Sequence, residues 1–133
     1  MLDLNFNYSK VNFNVCFKDK ICILNGQSGS GKTFLLKVLQ EYFNLNGVSS
    51  YRVYSDIDML KDKEVLESLI KDYKILLLDR ADLYMSWDIY KKILESNVTA
   101  IICMRMLSII RDKSNMGVYD VVYEGDRLSC VRL

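Results

Sequence analysis

"ICILNGQSGSGKTFLLKVLQEYF", residues 21–43, decides how the rest of the chain is read. Ile21 to Asn25 is a short apolar run fit for a buried strand. Glycines at 26, 29 and 31 follow at once. From Thr33 the period changes: Phe34, Leu35, Val38, Leu39, Tyr42 and Phe43 recur at helical spacing, and Asn46-Gly47 ends the helix. A strand, a glycine-rich loop and a helix are therefore joined without a gap.

The neighbouring segments fit around this unit. Asp3 to Val15 alternates loosely, with Leu4, Phe6, Tyr8, then Val11, Phe13 and Val15 apolar, which is strand periodicity. "KDK" (18–20) turns the chain into Ile21. "YRVYS" (51–55) reads as a second strand, and Val65, Leu66, Leu69, Ile70 and Tyr73 mark a second helix. "ILLL" (75–78) is a third buried strand. Trp87, Tyr90, Ile93 and Leu94 mark a third helix capped by Ser86. "AIICM" (100–104) is a fourth apolar strand. The tail, "VYDVVYEGDRLSCVRL", reads as a hairpin turning at Glu124-Gly125-Asp126. Alternating strands and helices imply right-handed crossovers. The expected fold is α/β and three-layered. It has a mainly parallel sheet, N-terminal antiparallel strands and a C-terminal β-hairpin, in one domain over residues 1–133. In such sheets ligands sit at the carboxyl ends of central strands. Gly26 and Asp79 both fall at such ends.

Composition narrows the function classes. The chain has 133 residues, 50% hydrophobic and 26% charged, a globular balance. A net charge of +1 gives no signal for a nucleic-acid or membrane surface. No apolar run approaches the ~20 residues of a membrane helix. "MLDLNFNYSK" has no basic start followed by an apolar block, so no signal peptide is expected. The chain has no histidine, and none of its four cysteines is in a C-x-x-C pair, which argues against a zinc site. Cys16 and Cys22 sit symmetrically about "KDK", as if to face each other across a hairpin. The preferred reading is reduced thiols packing as small apolar groups, with cytoplasmic residence following.

"GQSGSGKT", Gly26 to Thr33, fits the pattern G-x-x-x-x-G-K-[ST] between a strand and a helix, the context that pattern requires. A triphosphate needs many donors converging on it with no side chain in the way. Gly26, Gly29 and Gly31 let the backbone curl, and the amides of Gln27, Ser28 and Ser30 then point inward with theirs. The following helix adds its N-terminal dipole. Lys32 reaches the β- and γ-phosphates, and Thr33 offers its hydroxyl to magnesium. The plain alternative is a glycine-rich turn with no ligand. "KILLLDRAD", residues 74–82, carries an apolar strand into Asp79, which completes the magnesium site, through water. A surface aspartate that merely ends a strand is the alternative there.

With these pieces placed, the chain resembles a minimal P-loop NTPase of the ATP-binding cassette (ABC) type. "VNFNVCFKDKICILNGQSGSGKTFLL" looks like that family's N-terminal strands running into its phosphate loop. "ILLLD" looks like its magnesium-binding strand, and "VVYEGDRLSCV" like its closing hairpin. The resemblance implies ATP or ADP with Mg2+ as ligands. It makes Tyr8 the residue that stacks on adenine, with Phe6 and Phe13 as weaker candidates. In "TAIICMRMLSII", Arg105 stands where the family has its switch histidine.

Two departures from the family shape the expected function. No LSGGQ-like string occurs, and only about thirty residues lie where the family's helical subdomain would be. The contact with a partner subunit's nucleotide and the docking of membrane domains should both be missing. The family's general base, a glutamate after the magnesium aspartate, is here Arg80. Arginine stays protonated and cannot take a proton from water. Asp82, three residues beyond Asp79, is the carboxylate that could replace it; otherwise it is a solvated loop residue. The expectation is nucleoside triphosphate–Mg binding with weak or absent hydrolysis, in a switch or a module that engages an unidentified protein partner. The alternatives are an active small ATPase using Asp82, or a small nucleotide kinase or phosphotransferase, since Asp-Arg after an apolar strand is similar to thymidylate-type kinases. No arginine-rich lid and no N-K-x-D string for guanine is present.

Overall fold

The first strand, β1 (Leu2–Tyr8), runs antiparallel to β2 (Val11–Phe17), with Tyr8 opposite Val11. Only Ser9 (φ 51°) and Lys10 (φ 66°) lie between them, and both adopt the positive φ that a type I′ hairpin turn requires. The alternating segment 3–15 is thus two strands with a turn inside it. The computed structural model describes residues 2–25, 31–61 and 65–133.

The remaining elements are β3 (Ile21–Leu24), α1 (Lys32–Leu45), β4 (Tyr51–Tyr54), α2 (Asp56–Lys61), α3 (Val65–Asp72), β5 (Ile75–Leu78), α4 (Trp87–Glu95), β6 (Thr99–Cys103), β7 (Met116–Glu124) and β8 (Arg127–Arg132). Helix α2 is an addition to the periodicity reading. It has six residues, too few to show a helical repeat. Ser86 caps α4 as expected, its hydroxyl accepting from the Ile89 amide at 3.3 Å.

The strands form one mixed eight-stranded sheet in the order β1-β2-β8-β7-β3-β6-β5-β4. From β7 to β4 every pairing is parallel. The β7–β8 hairpin is antiparallel and closes through Gly125 and Asp126, with Glu124 opposite Arg127. The α/β class, the mainly parallel sheet and the flanking antiparallel pairs agree with expectation. One pairing does not follow from local pattern: β8 lies parallel to β2 and joins the N-terminal hairpin to the rest. Consequently β2 and β3 are not neighbours, and Cys16 and Cys22 do not face each other across a hairpin. All four cysteines are free, and burial pushes the Cys22 thiol up to about 11.

The central strands are buried on both faces. In β3, Ile21, Cys22, Ile23 and Leu24 are all fully buried. Cys22 and Leu24 pack with Leu35, Leu39 and Phe43 of α1, while Ile21 and Ile23 pack with Ile70 of α3 and Tyr90 and Ile93 of α4. A strand buried on both faces reads as a continuous apolar run, the pattern of "ICIL" and "ILLL". At the amino end of the sheet, Asp19 accepts from the Tyr119 hydroxyl at 2.7 Å and from Arg132 Nε at 3.0 Å, tying the β2–β3 turn to β7 and β8. Gly117 lies directly beneath, and a side chain there would run into the Asp19 carboxylate. No described helix is long and apolar enough to cross a membrane.

Candidate functional site

Parallel strands end on the same side of a sheet, and their carboxyl ends here open onto one cleft of about 680 Å³. Its walls carry Lys32 and Thr33 from the start of α1, Asp79, Arg80 and Asp82 from beyond β5, and Arg105 from beyond β6. Gly31, Phe34, Leu83, Cys103 and Met104 complete the lining.

Asp79 leaves the sheet last. Its amide still donates to the Tyr54 carbonyl of β4 at 2.9 Å, so its position is fixed by strand pairing. One carboxylate oxygen accepts from the Arg80 amide at 3.0 Å. The Tyr84 hydroxyl donates to the Asp79 carbonyl at 2.7 Å and lies 3.2 Å from the Tyr54 carbonyl, a brace behind the loop. Burial raises the Tyr84 phenol far above its ordinary value, so it remains a donor. Arg80 itself takes left-handed backbone (φ 50°, ψ 45°), which turns the chain out of the strand into the short 3₁₀ turn Ala81–Leu83. Its guanidinium lies 3.7 Å from Asp56 at the start of α2 and is largely exposed.

Asp82 binds backbone. Its carboxylate accepts from the Arg105 amide at 3.0 Å to each oxygen and from the Met106 amide at 2.8 Å. The loop after β5 is thereby clamped to the loop after β6. Asn25, at the end of β3, adds a third tie through its side-chain amide to the Met104 carbonyl at 3.0 Å. Three loops that carry the cleft are thus held by side chains of their own residues.

Of the residues singled out in the sequence, Gly31, Lys32, Thr33, Asp79, Arg80, Asp82 and Arg105 are brought together in this cleft. Gly26, Gln27, Ser28, Gly29 and Ser30 lie outside the described residues. Tyr8 is not brought together with the others. It sits on the edge strand β1, four strand spacings of about 4.8 Å from β3, or about 19 Å across the sheet. Its phenol lies beside the Glu41 carboxylate, which raises its pKa. Phe6 and Phe13 stack on each other at 5.1 Å, and Phe13 is fully buried, so their rings serve the core.

The chemistry of the lining is anion-seeking, with three cations against two carboxylates. Asp82 is already occupied by amides. The amino end of α1, whose dipole favours an anion, borders the same space. Among the described residues there is no group of three or more His, Cys, Asp or Glu side chains placed to hold a metal ion. A cation held by one or two protein oxygens together with oxygens of a phosphate is the arrangement magnesium takes. Thr33 and Asp79 both border the cleft and are the oxygen donors there that could hold such an ion. Cys103 also borders the cleft. Burial first, and then the negative Asp79, push its thiol well above the ordinary range, which disfavours the thiolate.

Tyr84, Asn25 and Cys103 were not singled out from the sequence. Asn25 had a signal, a polar residue directly between a buried strand and a glycine-rich loop. Tyr84 and Cys103 had none, because what sets them in place is the packing of separate elements around the cleft. No protein-family model, no curated protein and no solved structure matches the chain.

Proposed function

We propose that the chain is a minimal P-loop NTPase-like module of ABC type that binds nucleoside triphosphate, ATP foremost, with magnesium, and hydrolyses it weakly or not at all. One observation carries the reading. Lys32 and Thr33 of "GQSGSGKT" border the same cleft as Asp79 of "ILLLD", from elements more than forty residues apart. That convergence is what a phosphate-and-magnesium site needs, and local sequence pattern alone does not require it. Lys32 binds phosphate oxygens, and Thr33 and Asp79 hold the ion, which when bound neutralises phosphate charge.

Two features support weak hydrolysis. The residue after Asp79 is a permanently charged arginine, which holds no proton-accepting lone pair. Asp82, the nearest other carboxylate, accepts from the amides of residues 105 and 106, which hold it in the clamp between the two loops. The clamp instead suits a switch, since whatever moves the loop after β5 also moves Arg105. The test is binding of ATP, ADP and magnesium-free ATP to the purified protein, followed by phosphate release over hours with and without an acceptor nucleotide. The reading predicts magnesium-dependent binding and little release. Release that needs an acceptor would favour a phosphotransferase.

A further inference from the structure

Strand β7 reaches further than its neighbour. Its Tyr119 lies opposite Leu24, the last residue of β3, and the strand continues past that level to Glu124. Alternation puts Tyr119, Val121 and Tyr123 on the face that carries α1. The first two are 1% and 6% exposed and belong to the core. Tyr123 is 44% exposed. Its ring stacks on Phe34, in the first turn of α1, at 6.2 Å and 26°. A side chain at Gly31 would meet the Tyr123 ring at 3.6 Å, so the phenol rests against the residue that opens α1.

The position of this ring relative to the cleft matters. Strand β3 lies between β7 on one side and β6 and β5 on the other. Asp79 and Arg105 come from the β5 and β6 side, and Tyr123 stands on the β7 side, about 13 Å past the level at which β3 ends, against Gly31 and Phe34 of the cleft wall. A ligand whose phosphates meet Lys32 and whose metal meets Asp79 leaves its other end toward β7. A half-exposed aromatic ring there, backed by a second ring, offers a flat face to a flat group.

We infer that Tyr123, supported by Phe34, is the platform on which the nucleobase stacks. This rests on the nucleotide-binding reading above and replaces Tyr8 in that role. Stacking recognises the π-face common to all bases, so the platform anchors a base without selecting it.

The test compares MgATP with magnesium tripolyphosphate, which has the phosphates and no base, by calorimetry. The proteins are wild type, Tyr123→Ala, Tyr123→Phe and Tyr8→Ala, each checked for an unchanged melting temperature. Wild type should prefer MgATP. Tyr123→Ala should weaken MgATP roughly tenfold and leave tripolyphosphate unchanged. Tyr123→Phe should restore MgATP affinity, and Tyr8→Ala should change neither ligand. A wild-type preference for MgATP that survives Tyr123→Ala overturns the platform while leaving the phosphate site standing. Equal weakening of both ligands overturns it as well, since the ring's part would then be structural. If wild type binds neither ligand, the phosphate site fails and the platform with it.

Discussion

On the proposed reading, Arg80 stands directly after the magnesium aspartate, where a general base would act. Its left-handed backbone belongs to the loop, its largely exposed guanidinium reaches Asp56 of α2, and an ion pair that open on one side contributes at most about 1 kcal/mol. Replacing the side chain therefore tests chemistry more than stability. General-base help typically contributes ~10²–10⁴-fold. Arg80→Glu should raise phosphate release measurably while leaving ATP affinity within about tenfold. Asp82 is the counterpart. As a clamp on two backbone amides it stabilises the loops, so Asp82→Ala should lower stability by roughly 1–2 kcal/mol, the low range for hydrogen bonds to a charged acceptor, because the site is partly open. Slow phosphate release should persist in that variant. Brisk release by wild type that disappears in Asp82→Ala would make Asp82 the base and remove the case for a hydrolysis-poor module.

Two-residue hairpin turns with positive φ favour Asn-Gly, yet the β1–β2 turn uses Ser9 and Lys10, both of which resist that backbone. The double variant Ser9→Asn with Lys10→Gly should stabilise the protein by about 1 kcal/mol, read as a higher denaturation midpoint with an unchanged slope. A lower midpoint would mean that the turn is held by something other than its local geometry. The same residues explain why this turn was not legible in the sequence: nothing in "YSKV" announces a reversal. Elements whose signal is local were legible. "ICIL" and "ILLL" are buried on both faces, the hydroxyl of Ser86 caps α4, and Gly125 turns the last hairpin. The parallel pairing of β2 with β8 was not, since Asn12 and Arg127 meet from opposite ends of the chain. The candidate site divides in the same way. Lys32, Thr33 and Asp79 are marked by motifs around them. The partners of Asp82 lie 23 and 24 residues downstream, and those of Tyr123 are found only once α1 is laid over the sheet.

Across the molecule, two ends of one sheet do different work. The amino end is locked by Asp19, whose carboxyl is held below its ordinary range chiefly by the Arg132 guanidinium, with the Tyr119 hydroxyl assisting. A carboxyl depressed on folding adds stability above its unfolded value, near pH 4, and that stability is lost as the pH falls through the lower folded value. Denaturation measured from about pH 7 down to about pH 2 should therefore show wild type losing more stability than Asp19→Asn, with the two curves converging in acid. Parallel curves would mean that Asp19 does not lock the sheet. The carboxyl end carries the cleft, and the central claim is that this cleft binds nucleotide through Lys32. Lys32 borders the cleft from the first turn of α1, and the buried residues of that helix are Leu35, Leu36, Val38, Leu39 and Phe43. Its loss should leave the fold intact. The most direct measurement is calorimetric titration of MgATP into wild type and Lys32→Ala, with thermal melts run alongside. Saturable binding to wild type, at least about tenfold weaker in the variant at an unchanged melting temperature, is the predicted result. Equal affinity in the two proteins, or no binding to wild type, would contradict it.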